Sequence, residues 1–284
     1  MKSNIGGWSR GIGLALVFSL SAAIDTLGQP SPVQSAARPL GLTIVGPVMA
    51  GASDAASADF QGRVLGSINQ LLSVQLSEYK KVNDTVFLLD PSRLSLRTES
   101  DIRVYFVGEG AGYRNSLGYA ITPEGQVVGD KKLIFPDASS SITYMSPGKP
   151  GVRSSSMPLL PGDYVDLPSA SAGSMLDFFL IADGANGGRS VYSTVAARNP
   201  DRINHVVAFA LPDSPYLILG FEDLLNGGDR DFNDVLVAVD IGARNVKALT
   251  GAPEPALIMV LGGFLALALR QRARASSAGR GSPA

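Results

Sequence analysis

The chain has 284 residues, long enough for one or two domains with a sizeable core. Its 24 Lys and Arg stand against 25 Asp and Glu, a formal net charge of -1, so no basic field argues for a nucleic-acid partner. The absence of cysteine excludes disulfides, thiolate metal sites and a cysteine nucleophile, the single His205 removes most zinc sites, and 32 glycines with 18 prolines suit the turns of an all-β protein.

Lys2 and Arg10 precede the apolar run 11–20, and the small residues Ser21, Ala22 and Ala23 follow. This basic, apolar, small layout predicts a secretory signal peptide over 1–29, cut after Ala23 or near Gln29. An exported chain without cysteine must be held by core packing or by metal. Residues 30–40 are rich in Pro, Ser and Ala and read as a linker into a domain over 41–248, with a first strand at 40–49. Phe60, Val64, Ile68, Leu71, Leu72, Leu76 and Tyr79 recur at three- and four-residue steps, which predicts one helix near 59–81 with an apolar stripe.

From Thr85 the pattern changes to short strands. Candidates are 86–89, 102–107, 118–121, 132–134, 164–167, 176–181, 205–211, 216–221 and 235–239, separated by Gly, Pro, Asn and Asp. Such spacing predicts an all-β fold, a β-sandwich of jelly-roll type with one N-terminal helix. The Ser-rich stretch 139–157 reads as a long exposed loop.

The densest chemistry lies in 220–240, GFEDLLNGGDRDFNDVLVAVD. Glu222, Asp223, Asp229, Asp231, Asn233 and Asp234 fall within thirteen positions around Gly227 and Gly228 and lead into an apolar strand. Crowded carboxylates repel one another unless a cation sits among them, and a set of oxygen ligands points to calcium. Asp229, Asp231 and Asn233 match the opening spacing of an EF-hand, and Asp240 falls at the twelfth position. Asp234, however, occupies the required glycine position, and a strand follows where a helix should. In an extended segment alternate residues face the same way, so Asp229, Asp231 and Asn233 are expected to share one ion, joined by one of the neighbours Glu222 and Asp223. Phe232 is read as an apolar anchor drawing the carboxylates toward the core. The alternative is a solvated acidic hairpin whose Asp and Asn side chains cap turns.

This stretch resembles the signature of the family called domain of unknown function 4114, as do Gly108–Tyr119 (GEGAGYRNSLGY), Phe178–Gly184 (FFLIADG) and Asn199–Asp201 leading to His205 and Val206. The pieces run in the family's order over roughly 85–240. The resemblance implies a secreted or surface module with a metal-binding, Asp-rich signature and adds Asp183 to the ligand candidates. Glu109, Asn115, Asp183 and Asn186 lie in glycine-rich loops, where they join the same ion site or build a second one, unless Gly110, Gly112, Gly184 and Gly187 only shape tight turns. No Gly-x-Ser-x-Gly elbow accompanies His205, which reads as a hydrogen-bonded structural histidine. A carboxylate-pair hydrolase acting on polysaccharide, using Glu222 and Asp231, is the enzymatic alternative. The only tryptophan, Trp8, falls in the signal peptide, which counts against a sugar-stacking site.

At the far end, Pro253, Glu254 and Pro255 precede the apolar run 256–269, then Arg270, Arg272 and Arg274. Fourteen helical residues span roughly 21 Å, short of the ~30 Å hydrocarbon core, and the arginines favour the cytoplasmic side. The order resembles the PEP-CTERM sorting signal of Gram-negative bacteria, with Ala252 where the usual box has Val. The resemblance implies processing by an exosortase. It also implies an exported chain: an inner-membrane-anchored precursor that becomes a cell-surface or extracellular protein in an exopolysaccharide-producing envelope. The functional expectation is therefore a calcium-stabilised, non-enzymatic surface module with a structural or binding role.

Overall fold

The computed structural model describes residues 34–76, 88–126, 129–143, 151–211 and 213–251. The segments read as signal peptide (1–29) and sorting signal (252–284) lie outside the described residues. Among those described, no helix is long and apolar enough to cross a membrane.

The first regular element is a helical run made of α1 (Ala55–Asp59), a π-helical turn (Phe60–Val64) and α2 (Leu65–Gln75). It starts four residues before the expected boundary because Asp54 caps it. The Asp54 carboxylate accepts the Ser57 N–H at 2.7 Å, and the Ser57 hydroxyl accepts the Asp54 N–H at 3.1 Å, a reciprocal capping box. It ends at Gln75, where Leu76 turns extended. The expected Tyr79 face lies outside the described residues.

The strands follow in order: β1 (Leu88–Leu89), β2 (Ser100–Gly108), β3 (Ser116–Thr122), β4 (Lys132–Phe135), β5 (Tyr164–Ala170), β6 (Met175–Ile181), β7 (Val191–Ser193), β8 (Val206–Ala210), β9 (Tyr216–Phe221) and β10 (Val235–Asp240). A short helix α3 (Ala243–Leu249) closes the described chain. The strands form two sheets with antiparallel pairing throughout, one in the order β1-β8-β9-β10-β2-β5 and the other β4-β3-β6-β7. The architecture is mostly β, two packed sheets with an N-terminal helix, as in a β-sandwich.

Both faces of the six-stranded sheet are buried. Val104, Phe106, Leu217, Leu219, Val235 and Val237 point into the core between the sheets, against Leu117, Phe178 and Leu180. Tyr105, Phe209, Ile218, Leu236 and Ala238 point the other way, under Phe60, Ile68 and Leu72 of the helical run. This double burial explains why 235–239 is apolar at every position instead of alternating. Phe60 stacks on Tyr105 with ring centroids 3.9 Å apart. Arg103 ties the helix start to the sheet: it donates to Asp54 at 2.8 Å and to both oxygens of Asp166, and lies over the Tyr164 ring.

The expected first strand at 40–49 is not a strand. It makes single bridges, Ile44 to Leu133 and Met49 to Tyr164, and so crosses from β4 of one sheet to β5 of the other. Pro47, which has no N–H to offer a ladder, suits that irregular crossing. Two elements carry no sequence signal strong enough to expect. β7 is three residues long, and α3 has no side-chain N-cap. α3 is held instead by Asn245, which accepts the Arg97 and Thr98 N–H groups at 2.8 Å each and donates to Ile241 O at 2.7 Å.

Candidate metal centre

β9 and β10 are neighbours, and the connection 222–234 closes on itself where the Asp234 N–H donates to Phe221 O at 3.0 Å. The connection is not extended. Asn226, Arg230 and Phe232 all have positive φ (65°, 61° and 54°), as do Gly227 and Gly228. Left-handed backbone at three non-glycine residues costs about 1–3 kcal/mol each. It also overturns the alternation argument: residues 229–233 do not face one way as a strand would. Gly228 is required here, because a β-carbon would overlap the Glu222 carboxylate and its φ is +43°.

The carboxylates gather in two groups that share one residue. Glu222, Asp223 and Asp234 form the first, and Glu222, Asp229 and Asp231 the second; in each group one oxygen from every member lies within 4.8 Å of the others. The sequence expectation that only one of Glu222 and Asp223 faces the ion therefore does not follow. β9 ends at Phe221, so the two neighbours lie beyond the strand, where the two-residue alternation no longer separates them. Glu222 is 1 % exposed. Its N–H donates to His205 O at 2.9 Å, and its carboxylate accepts the Arg230 N–H at 3.1 Å. The Asp223 N–H donates to Asp234 Oδ2 at 2.7 Å.

The electrostatics reflect the crowding. Burial, then the charges of Asp229, Asp223 and Asp231, push the Glu222 carboxyl up to about 7. Burial and the Asp223 charge push Asp234 up to about 8, and Asp223 is raised by burial with Asp229 and Asp183 adding. Without a counter-charge, these groups resist being ionised together.

The remaining candidates take different places. Asn233 donates to the Asp231 carboxylate through its backbone N–H, at 3.2 Å, and through its side-chain amide, and it packs directly over Gly110, where a β-carbon would overlap it. The glycine-rich loop at 108–112 is thus a floor for the acidic loop. Asp183 belongs to neither group. Its carboxylate accepts the Arg114 N–H at 3.1 Å and the Asn186 amide at 2.7 Å, so Asn186 holds Asp183. Buried Asn115 links the two loops, donating to Asp223 Oδ2 at 2.7 Å and accepting the Asp183 N–H at 3.0 Å. Glu109 also stands apart, accepting the Ser140 N–H at 3.3 Å. Burial, with the Asp137 and Asp223 charges, pushes it up to about 7. Asp240 sits at the opposite end of β10, consistent with rejecting the EF-hand frame.

His205 is fully buried and stacked on Tyr192 at 3.9 Å. Its Nδ1 meets Glu222 O at 3.0 Å and its Nε2 meets Asp201 Oδ2 at 2.9 Å. Asp201, to which the sequence assigned no role, also accepts the Asn226 N–H at 2.7 Å and so pins the acidic loop from below. Its position four residues before the only histidine was the available signal.

Residues 171–242 match the family described as Domain of unknown function (DUF4114). The matched stretch includes Asp183, His205 and the whole acidic loop, while the glycine-rich piece at 108–119 lies outside it. No match was found among curated proteins or among solved structures.

Proposed function

We propose that this chain is a calcium-stabilised β-sandwich module, of jelly-roll type, exported to the cell surface, with a structural or binding role in the envelope or its exopolysaccharide. The carrying observation is the pair of carboxylate groups that share the buried Glu222. Their donors are oxygens alone, with no sulfur or imidazole, which suits a hard cation of flexible coordination. Glu222, Asp223, Asp229, Asp231 and Asp234 would hold it, Asn233 would position Asp231, and Asn115 and Asp183 would brace Asp223. The bound ion would offset part of the loop's charge and hold a backbone that is strained at three residues.

Export rests on the signal peptide and on the Pro253, Glu254, Pro255 box with its hydrophobic helix 256–269 and Arg270, Arg272 and Arg274, all outside the described residues. Exosortase processing follows from the same reading. One feature of the fold agrees with surface display: α3 and Gly251 follow the end of β10 opposite the acidic loop, about 20 Å away over six strand residues. A membrane-held tail would turn the acidic loop outward.

The hydrolase reading has one observation in its favour, a Glu222 carboxyl pushed up to about 7 beside Asp231, as a general acid requires. Against it, Glu222 is 1 % exposed, and the clefts lined by Leu89, Arg93 and Leu249 and by Arg103, Asp166 and Asp240 include neither carboxylate. The discriminating experiment is a thermal melt of the full chain in calcium and in chelator, with Asp229→Ala beside wild type. A saturating calcium-dependent rise that Asp229→Ala abolishes supports the module. No rise, together with glycan turnover lost in Glu222→Gln, would replace it with the hydrolase.

A further inference from the structure

At the pole opposite the acidic loop, α3 ends beside an open cleft of about 560 Å³. Leu89, Met175, Ala248 and Leu249 give it apolar walls, and Arg93 and Ser95 supply polar groups. Leu89 and Leu249 are only partly buried where they pack on the core between the sheets, and Met175 is 37 % exposed. The cleft is thus an apolar extension of the core that the described residues leave open. Its one cation is available for pairing. Among the described residues the exposed Arg93 guanidinium makes no ion pair, while Arg114, Arg153 and Arg198 each hold an aspartate. The neighbouring Asp90 carboxylate is occupied by its own turn, accepting the Ser92 N–H at 2.9 Å and the Ser92 hydroxyl at 2.6 Å.

The chain itself supplies a segment that fits. α3 closes with the Thr250 N–H on Val246 O and the Gly251 N–H on Ala248 O, each at 3.2 Å, and Gly251 has a φ of 68°. A left-handed glycine at this place ends a helix and turns the chain off its axis. Pro253, Glu254 and Pro255 follow at once. Three residues beyond Gly251 reach at most about 10 Å, so Glu254 cannot leave the neighbourhood of the cleft that Leu249 lines. A tether this short sets an effective concentration in the millimolar range, at which a weak contact is enough. A Pro-Glu-Pro sequence is biased toward an extended polyproline form, because each proline fixes its own φ and restricts the residue before it. Such a segment has little entropy to lose on docking, offers its rings to apolar walls and leaves the carboxylate between them for a cation.

We propose that the cleft beside α3 holds Pro253, Glu254 and Pro255 of the same chain, with the proline rings against Leu89, Met175 and Leu249 and the Glu254 carboxylate on Arg93. The domain then shields the box, and on the export reading above its release from the cleft precedes cleavage there. The contact uses no residue of the acidic loop, so it stands or falls independently of the calcium reading.

The test is disulfide trapping in the full chain, held in detergent because of its apolar run 256–269. The chain has no cysteine, so Ser95→Cys with Ala256→Cys introduces the only two thiols. Ser95 lines the cleft, and Ala256 follows the box. The rate of intramolecular disulfide formation under a mild oxidant reads the docking, and Met175→Cys with Ala256→Cys repeats the measurement should the first pair fail to fold. Glu254→Lys in this background is expected to slow the rate about fivefold, and Arg93→Glu added to it should bring the rate back to within about twofold, because opposite charges face each other again. A rate that Glu254→Lys leaves unchanged overturns the proposal. So does a slowed rate that Arg93→Glu does not restore, or one that Arg97→Glu restores in its place, which would put the box in the adjoining cleft lined by Arg97 and Glu124.

Discussion

Replacing Asp234 by Asn should stabilise the protein in chelator and much less so in calcium. In chelator the folded protein must accommodate a carboxyl that burial and Asp223 push from 3.8 to about 8. A carboxyl raised in the folded state contributes stability below its unfolded value and loses it as pH climbs toward the folded one. At pH 7, about three units above 3.8, the loss reaches about 4 kcal/mol, part of it shared with Asp223. Asn removes the charge and keeps an oxygen to accept the Asp223 N–H, now at 2.7 Å. Asp234→Asn should therefore raise the chelator melting temperature at pH 7 by at least about 5 °C, at about 2–4 °C per kcal/mol for a domain of this size. In calcium the gap narrows. Wild type should gain about 2.7 kcal/mol at 100 times Kd, a rise of about 5–10 °C, and the variant should gain much less because one of the Glu222-sharing groups has lost an anionic donor. The assay is differential scanning calorimetry of both proteins at pH 5, 7 and 8, in chelator and across a calcium titration. If Asp234→Asn lowers the chelator melt and keeps the full calcium increment, the carboxylates neither repel one another nor share an ion, and the reasoning fails.

Three further outcomes follow from the packing. Gly110→Ala places a β-carbon on the Asn233 amide and should cost about 1–3 kcal/mol while weakening the calcium increment; Gly112→Ala, with open space around it, should match wild type in the same melts. Phe60→Ala removes the ring stacked on Tyr105 and should cost about 3–5 kcal/mol, with limited proteolysis cutting first between 55 and 75. Burial pushes the Asp54 carboxyl up, but donors from Ser57, Arg103 and Tyr164 outweigh it and hold it well below its usual 3.8. A depressed carboxyl stabilises above its unfolded value and stops doing so as pH falls through its folded one. Asp54→Asn, which keeps a cap, should then melt below wild type at pH 7, and the gap should close in acid melts below about pH 4.

The strand map was legible because apolar runs and glycine or proline breaks are local signals. Strands from β2 to β10 lie where the sequence places them, apart from the three-residue β7, which is too short to carry a period. The helix was legible from its stripe, but its start was set by Asp54 and Ser57, whose reciprocal bonds form only once the turn exists. The crowding of Glu222, Asp223, Asp229, Asp231 and Asp234 was equally plain in the sequence, and it pointed to a cation on chemistry alone.

The partition of that crowd was decided by the tertiary structure. Alternation along an extended chain put Asp229, Asp231 and Asn233 together, and left-handed backbone at Arg230 and Phe232 cancelled it. The loop joins Asp234 to Asp223 and Asp229 to Asp231 around one buried glutamate instead. Asn115, more than a hundred residues from Asp223 along the chain, reaches it only because both sheets end at the same pole. Side-chain type and spacing are properties of the chain, and so the kind of chemistry was determined by the sequence itself. Which oxygens converge depends on φ angles and on contacts between distant segments, and those exist only in the folded protein.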